Sequence, residues 1–117
     1  MAENLTPITA LSVAVKGICD VTKNMISIRK QNKLVSRAQL ARLETYVNQV
    51  VNIERMNAYY ELWSVAAKNL KESYEKIQGH ENTPIGDLLM EALRKEAIAY
   101  DRILEDFIHL PNGRGPH

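Results

Sequence analysis

The fold of this chain depends on residues 37–78, RAQLARLETYVNQVVNIERMNAYYELWSVAAKNLKESYEKIQ, which contain neither proline nor glycine. Those two residue types most often interrupt a helix, so their absence favours a long uninterrupted one. Gly79 follows directly, and glycine commonly stands just beyond the last turn of a helix. The stretch therefore predicts one helix of about 63 Å at a rise of ~1.5 Å per residue.

The start and the middle of this stretch give different signals. Ser36 and Gln39 have the spacing of a capping box, in which the serine oxygen accepts a backbone N–H and the glutamine side chain reaches back. In the middle, polar residues are concentrated over residues 52–57, and the apolar stripes on either side do not join in register. A continuous helix with a bend fits this pattern, and a turn near residues 52–57 is the alternative.

Two shorter helices are predicted on either side of this stretch. Each begins at a Thr-Pro pair, at residues 6–7 and 83–84, because threonine caps free backbone N–H groups and proline fits the first helical turn. Apolar residues at three- and four-residue spacings extend the two helices over about residues 7–32 and 84–110. No alternating pattern is long enough for a sheet, so the chain is predicted to be all-α with three amphipathic helices.

Composition describes one folded domain. Of the 117 residues, 45% are hydrophobic and 25% are charged, which is the balance of a globular protein. We expect a single helical domain over residues 1–110 and a disordered C-terminal tail over residues 111–117. The charges nearly cancel, with 15 Lys and Arg against 14 Asp and Glu, so any attraction to a charged partner must come from a local patch.

The cysteine count and the hydropathy pattern indicate the cellular compartment in which the protein works. Cys19 is the single cysteine and has no partner for an internal disulfide, which fits a reducing cytoplasm. No uncharged stretch approaches the ~20 apolar residues that a membrane-spanning helix needs. We therefore expect a cytoplasmic protein that does not bind membranes.

A central helix of the predicted length has consequences for assembly. Each shorter helix folds back over only part of it, so apolar surface remains that a monomer cannot bury. The sequence therefore predicts a homodimeric helical bundle, with the polar middle of the long helix near a twofold axis. A turn near residues 52–57 gives instead a monomeric four-helix bundle.

Polar and aromatic residues around this middle are candidate contacts. Asn52 and Asn57 would be costly to bury singly, but paired across a dimer axis they could define the register. Tyr59, Tyr60 and Trp63 form the only aromatic cluster, for which core packing competes with a role in dimer or ligand contact.

Basic residues are concentrated at the turn between the first two helices. The five candidates for an interaction surface are Arg29, Lys30, Lys33, Arg37 and Arg42. Some of them complement the negative end of the first helix, which makes a solvated surface the simple interpretation. Arg37 stands instead at the positive start of a helix, so this basic elbow is also a candidate for binding phosphates or an acidic protein surface.

The residue patterns of enzymes are missing. The three histidines lie in a turn, at a helix end and at the terminus, and none belongs to a metal-binding pair. No glycine-rich phosphate loop is present, and Cys19 has no nearby histidine in sequence. We expect no catalytic residue, no cofactor and no metal.

By elimination, the sequence favours a small helical protein–protein interaction protein, a regulator, inhibitor or adaptor, that acts as a homodimer on an unidentified protein partner. The first alternative is a nucleic-acid-binding accessory protein that uses the basic elbow. The second is a ligand binder or enzyme with a pocket near Tyr59, Tyr60 and Trp63.

Overall fold

The computed structural model describes residues 7–56 and 64–109. These residues form four α-helices and no strand, so the all-α prediction is confirmed for them. The helices are α1 (Pro7–Lys30), α2 (Arg37–Arg55), α3 (Ser64–Ile77) and α4 (Pro84–Ile108). The predicted cap at Thr6 and the predicted tail over residues 111–117 lie outside the described residues.

The prediction of one continuous helix over residues 37–78, and with it the three-helix count, is wrong. α2 ends at Arg55, with Met56 as its C-cap. Lys71 Nζ in α3 donates to Asn48 Oδ1 in α2 at 2.7 Å, whereas a continuous helix would separate these two residues by about 35 Å. The two halves therefore lie side by side, and the four-helix alternative is correct. Freedom from proline and glycine permits a long helix but does not require one, since burial of apolar faces contributes more than propensity.

The helices form an up-and-down bundle in which each helix packs against the two beside it: α1 against α2 and α4, and α3 against the same two. Ion pairs show that α1 and α4 run antiparallel, because Arg29 near the end of α1 reaches Asp87 at the start of α4, while Lys16 reaches Asp101 further along. The elongated shape, 50 × 27 × 23 Å, is that of helices packed side by side.

The core is built from one apolar stripe per helix. In α4 the buried positions recur at alternating four- and three-residue spacings, at Gly86, Met90, Leu93, Ala97, Tyr100 and Leu104. This is the heptad period of helices that pack with small crossing angles. The largest fully buried side chains of the other three helices include Leu11, Ile18, Met25, Leu43, Leu70, Tyr74 and Ile77. Each such side chain contributes about 1.5–3 kcal/mol when it leaves water.

The helix starts follow the predicted capping. The N–H of Gln39 donates to Ser36 Oγ at 3.2 Å, and the N–H of Ser36 donates to Gln39 Oε1 at 3.1 Å, so the capping box is confirmed. At α4, Thr83 Oγ1 accepts from the N–H of Gly86 at 3.0 Å and Pro84 occupies the first turn. Each cap satisfies backbone donors that the helix itself leaves unpaired.

Candidate interaction groove between α1 and α4

A groove with a volume of about 390 Å³ runs between α1 and α4 on the outside of the bundle. Its lining residues are Lys23, Ile26, Ser27, Lys30, Glu91, Arg94 and Lys95. A recess of about 160 Å³ continues it and shares Ile26, Lys30 and Glu91. Arg29, Asp87 and Met90 complete the lining of the recess. We call the two together the α1/α4 groove.

Helical spacing explains why these residues meet. Residues 23, 27 and 30 are four and three apart, which places them on one face of α1. Residues 87, 91 and 94 do the same on α4. Because the two helices are antiparallel neighbours, the end of one face lies beside the start of the other. Ile26, half-buried against the core, supplies apolar surface to both parts of the groove.

Positive charge dominates the larger part of the groove. Four cations, Lys23, Lys30, Arg94 and Lys95, share its lining with one carboxylate, that of Glu91. Lys23, Lys30 and Lys95 are exposed, so their charges are available to a ligand in solvent. Such an excess of one sign in a concave surface raises the local concentration of oppositely charged groups.

The recess differs, because two of its four charged residues, Arg29 and Asp87, are already paired with each other. Arg29 Nε lies 2.7 Å from Asp87 Oδ1, and Arg29 Nη2 donates to Asp87 Oδ2 at 3.4 Å, in the two-pronged geometry that arginine forms with carboxylates. The Arg29 side chain is only 16% exposed and also donates to the carbonyl of Lys33. Arg29 therefore fastens the α1–α2 turn to α4 and is unsuited to contacting a partner.

Arg94 carries a donor whose bonding capacity is unused. Its Nε is buried and makes no hydrogen bond within the described structure. A buried donor without an acceptor costs about 1–3 kcal/mol, and an arginine can offer donors on one edge to an oxyanion. Arg94 also lines the groove, where its positive charge favours an anionic group.

The other end of the α1–α4 seam is electrically compensated. Lys16 Nζ donates to Asp101 Oδ1 at 2.8 Å and is also paired with Glu105. The hydrogen bond that Lys16 donates to Asp101 is the main cause that raises the pKa of Lys16, and the hydrogen bond that Lys16 donates to Glu105 is the main cause that lowers the pKa of Glu105. His109 Nε2 lies 3.0 Å from the same Glu105 carboxylate. This seam therefore has one compensated end and one basic end.

The predicted interaction surface is only partly assembled. Lys30 lines the α1/α4 groove and Arg29 is used in the ion pair with Asp87. Lys33, Arg37 and Arg42 are exposed on the α1–α2 turn and on α2, outside the groove lining. The structure adds three residues to the site that the predicted surface did not include: Lys23, Arg94 and Lys95. The sequence shows which residues share a face of each helix. Only the packing of α1 on α4 brings Lys23 and Lys30 beside Arg94 and Lys95.

Only one of the five residues predicted to contact a dimer partner or a ligand lies in the described part of the chain. Asn52 is exposed on α2, and Asn57, Tyr59, Tyr60 and Trp63 lie outside the described residues. The pocket predicted near the aromatic cluster therefore stays a prediction. With α2 and α3 side by side, the central helix that placed these residues at a dimer axis no longer exists.

Cys19 and the acidic residues give no reactive site in the described part of the chain. Burial raises the pKa of the Cys19 thiol to about 11, so the nucleophilic thiolate is scarce at neutral pH. Within residues 7–56 and 64–109, no three His, Cys, Asp or Glu side chains are grouped so that they could hold a metal ion. The four described helices include none with the length and apolar character needed to span a membrane.

Comparison with protein families, with curated proteins and with solved structures found no match to this chain. Its class, an antiparallel four-helix bundle with a basic groove, therefore comes from its own residues and their packing.

Proposed function

We propose that this chain is a small helical protein–protein interaction protein, a regulator, inhibitor or adaptor, that binds an acidic segment of a partner protein in the α1/α4 groove. The observation that carries this proposal is the charge of the groove lining, four cations against one carboxylate. A groove between antiparallel helices accommodates an extended or helical segment along its length.

The lining favours a protein segment with carboxylates. Ile26 gives the groove an apolar floor for the stems of acidic side chains, and Ser27 adds a hydroxyl donor beside the lysines. Arg94 lines the same groove, and its guanidinium charge favours a carboxylate over a neutral group. Exposed lysines steer association and select the partner's charge more than they add affinity.

In this role the protein carries out no catalytic step and needs no cofactor. We further propose a cytoplasmic location, because a single, partly buried cysteine suits a reducing compartment.

The test uses a fluorescein-labelled oligoglutamate peptide of about ten residues, with anisotropy measured at about 20 and 150 mM salt. Changing Lys23→Glu and Lys30→Glu together should weaken binding about tenfold or more, because the groove then repels the probe. The matched control is Arg37→Glu with Arg42→Glu, which changes net charge equally outside the groove and should weaken binding less than about threefold. Equal losses in both double variants, or no binding by the native protein, would contradict the proposal.

Nucleic-acid binding through the basic elbow is the second candidate function. The observation in its favour is that Lys33, Arg37 and Arg42 are all exposed on the same turn and following helix. The same variants test it with duplex DNA of about 20 base pairs, whose affinity should fall steeply with salt. Here the Arg37→Glu, Arg42→Glu protein should lose binding and the Lys23→Glu, Lys30→Glu protein should keep most of it. The opposite pattern would exclude the elbow as the DNA site.

A further inference from the structure

The outer side of α4 carries an apolar stripe that the bundle does not use. Its members are Ile85, Leu88, Ala92, Ala99 and Ile103, all of them exposed. The side chain of Leu88 is 70% exposed, that of Ile85 61% and that of Ile103 51%, which are high values for such large apolar groups. Spacings of three, four, seven and four residues keep them on one face.

This face is distinct from the core, and it adjoins the α1/α4 groove at Lys95, which lines the groove. At about 100° per residue, the stripe is rotated by roughly 120° from the core positions of α4, away from α1 and toward α3. Glu96 marks the same side, since its Oε1 accepts a hydrogen bond from Ser73 of α3 at 2.9 Å. A molecule on the stripe therefore leaves the groove residues of α1, Lys23 and Lys30, uncovered.

Four of the five stripe residues are symmetric about a point between Lys95 and Glu96, whereas Ile85 falls opposite the exposed Asp106. Counting outward from the bond between Lys95 and Glu96, Ala92 is matched by Ala99 and Leu88 is matched by Ile103. The central pair itself consists of opposite charges, both exposed. A helix face with this symmetry is complementary to a second copy of itself in antiparallel orientation.

We propose that the occupant of this stripe is a second copy of the chain, bound through an antiparallel α4–α4 contact whose twofold axis passes between Lys95 and Glu96. In this register Leu88 packs on Ile103 of the partner subunit, and Ala92 faces Ala99 of the partner subunit. Lys95 meets Glu96 of the partner subunit, and symmetry forms every contact twice.

The side chains suit such a contact. Alanines on either side of the axis allow the helices to approach to the short end of the usual ~8–10 Å range. Each opposite-charge pair also penalises the parallel arrangement and shifted registers, in which like charges meet. The stripe from residue 85 to residue 103 is only about 27 Å long, so we expect a modest interface and a Kd in the micromolar range.

The first test measures mass by light scattering and sedimentation at about 10–200 µM chain. The native protein should approach twice its 13.3 kDa chain mass at the upper concentrations. Glu96→Lys should raise the Kd at least about tenfold, because Lys95 then faces a lysine, and adding Lys95→Glu should restore the dimer with swapped charges. Leu88→Glu should raise the Kd at least about a hundredfold, since the apolar contact is lost twice. Circular dichroism checks that these exposed substitutions leave the helices intact.

A native protein that stays strictly monomeric at about 200 µM would overturn the proposal. So would a dimer whose Kd neither Glu96→Lys nor Leu88→Glu changes, because another face would then form the contact. The groove variant Lys23→Glu, Lys30→Glu should dimerise normally, which separates this result from the peptide-binding result. The dimer stands if peptide binding fails, and peptide binding stands if the dimer fails.

Cysteine cross-linking tests the register in a Cys19→Ala background. A mixture of an Ala92→Cys chain and an Ala99→Cys chain should form a covalent dimer under mild oxidation, because these positions face each other. Either variant alone should cross-link poorly, since identical positions are then offset by seven residues, about 10 Å along the axis. Efficient cross-linking of Ala92→Cys to itself would refute this register.

Discussion

Gly17 shows how one residue sets the distance between two helices. It lies inside α1, where glycine costs about 1 kcal/mol relative to alanine in helix propensity. A Cβ atom at this position would lie 2.5 Å from Cδ1 of the Tyr46 ring on α2, far inside van der Waals contact. Gly17 therefore allows α1 and α2 to approach closely, and its neighbour is the aromatic ring of Tyr46, which the sequence alone did not indicate.

Gly17→Ala should lower the free energy of unfolding by about 1–2 kcal/mol, because displacing the Tyr46 ring costs more than the gain in helix propensity. Urea denaturation measures this change. The matched control places Gly17→Ala in a Tyr46→Leu background, where the steric conflict is relieved and the substitution should be neutral or stabilising. Stabilisation in the native background would contradict the proposed steric role.

At the scale of elements, the two turns at one end of the bundle hold each other in place. Asn82, just before α4, accepts from the N–H of Val35 at 2.7 Å and donates to its carbonyl at 3.4 Å, across 47 residues of sequence. Val35 is buried at 5% exposure, so its backbone groups need these partners. The Arg29–Asp87 pair joins the same turn to α4 a second time. The turn orients α1 and α4, and hence the groove between them.

Asn82→Ala should cost about 1–3 kcal/mol of unfolding free energy, because the buried N–H of Val35 loses its acceptor. Asn82→Asp keeps the 2.7 Å acceptor and loses only the longer bond, so it should cost less than the alanine variant. Amide exchange of Val35 provides a local measurement, and should speed up in Asn82→Ala only. If the two variants lose the same unfolding free energy, the Asn82 Oδ1 acceptor is not the main source of the stabilisation.

At the scale of the whole molecule, the deciding feature is the pairing of α2 with α3. The bundle places the end of α2 and the middle of α3 side by side, with Lys71 bonded to Asn48. A continuous helix would expose both apolar faces, whereas the bundle buries Val47 and Val50 together with Leu70 and Tyr74. Burial of these side chains exceeds the cost of the helical hydrogen bonds lost when α2 ends at Arg55.

Electron spin resonance distances test this pairing directly. Spin labels on Gln49→Cys and Glu72→Cys, both exposed positions, should lie about 20 Å apart or less in a Cys19→Ala background. The continuous helix instead predicts a separation of about 35 Å from the helical rise alone. Dilution with unlabelled chain suppresses the signal from pairs of labels on different subunits. A dominant population near the longer distance would overturn the four-helix arrangement.

The sequence alone determined the local features: the all-α class, the capping box at Ser36, the cap at Thr83 and the apolar stripe of each helix. These follow from residues a few positions apart, whose interactions the chain makes whatever its overall fold. It also indicated the polar interruption at residues 52–57, without deciding between a bend and a turn.

Only the tertiary structure decided which faces meet. It separated α2 from α3, paired Arg29 with Asp87, and placed Arg94 and Lys95 of α4 beside Lys23 and Lys30 of α1. The ion-paired residues lie 58 positions apart in sequence and the groove residues of α1 and α4 still further, so no local pattern encodes their proximity. Long-range neighbours result from the arrangement that buries the four apolar stripes together, which is a property of the whole chain.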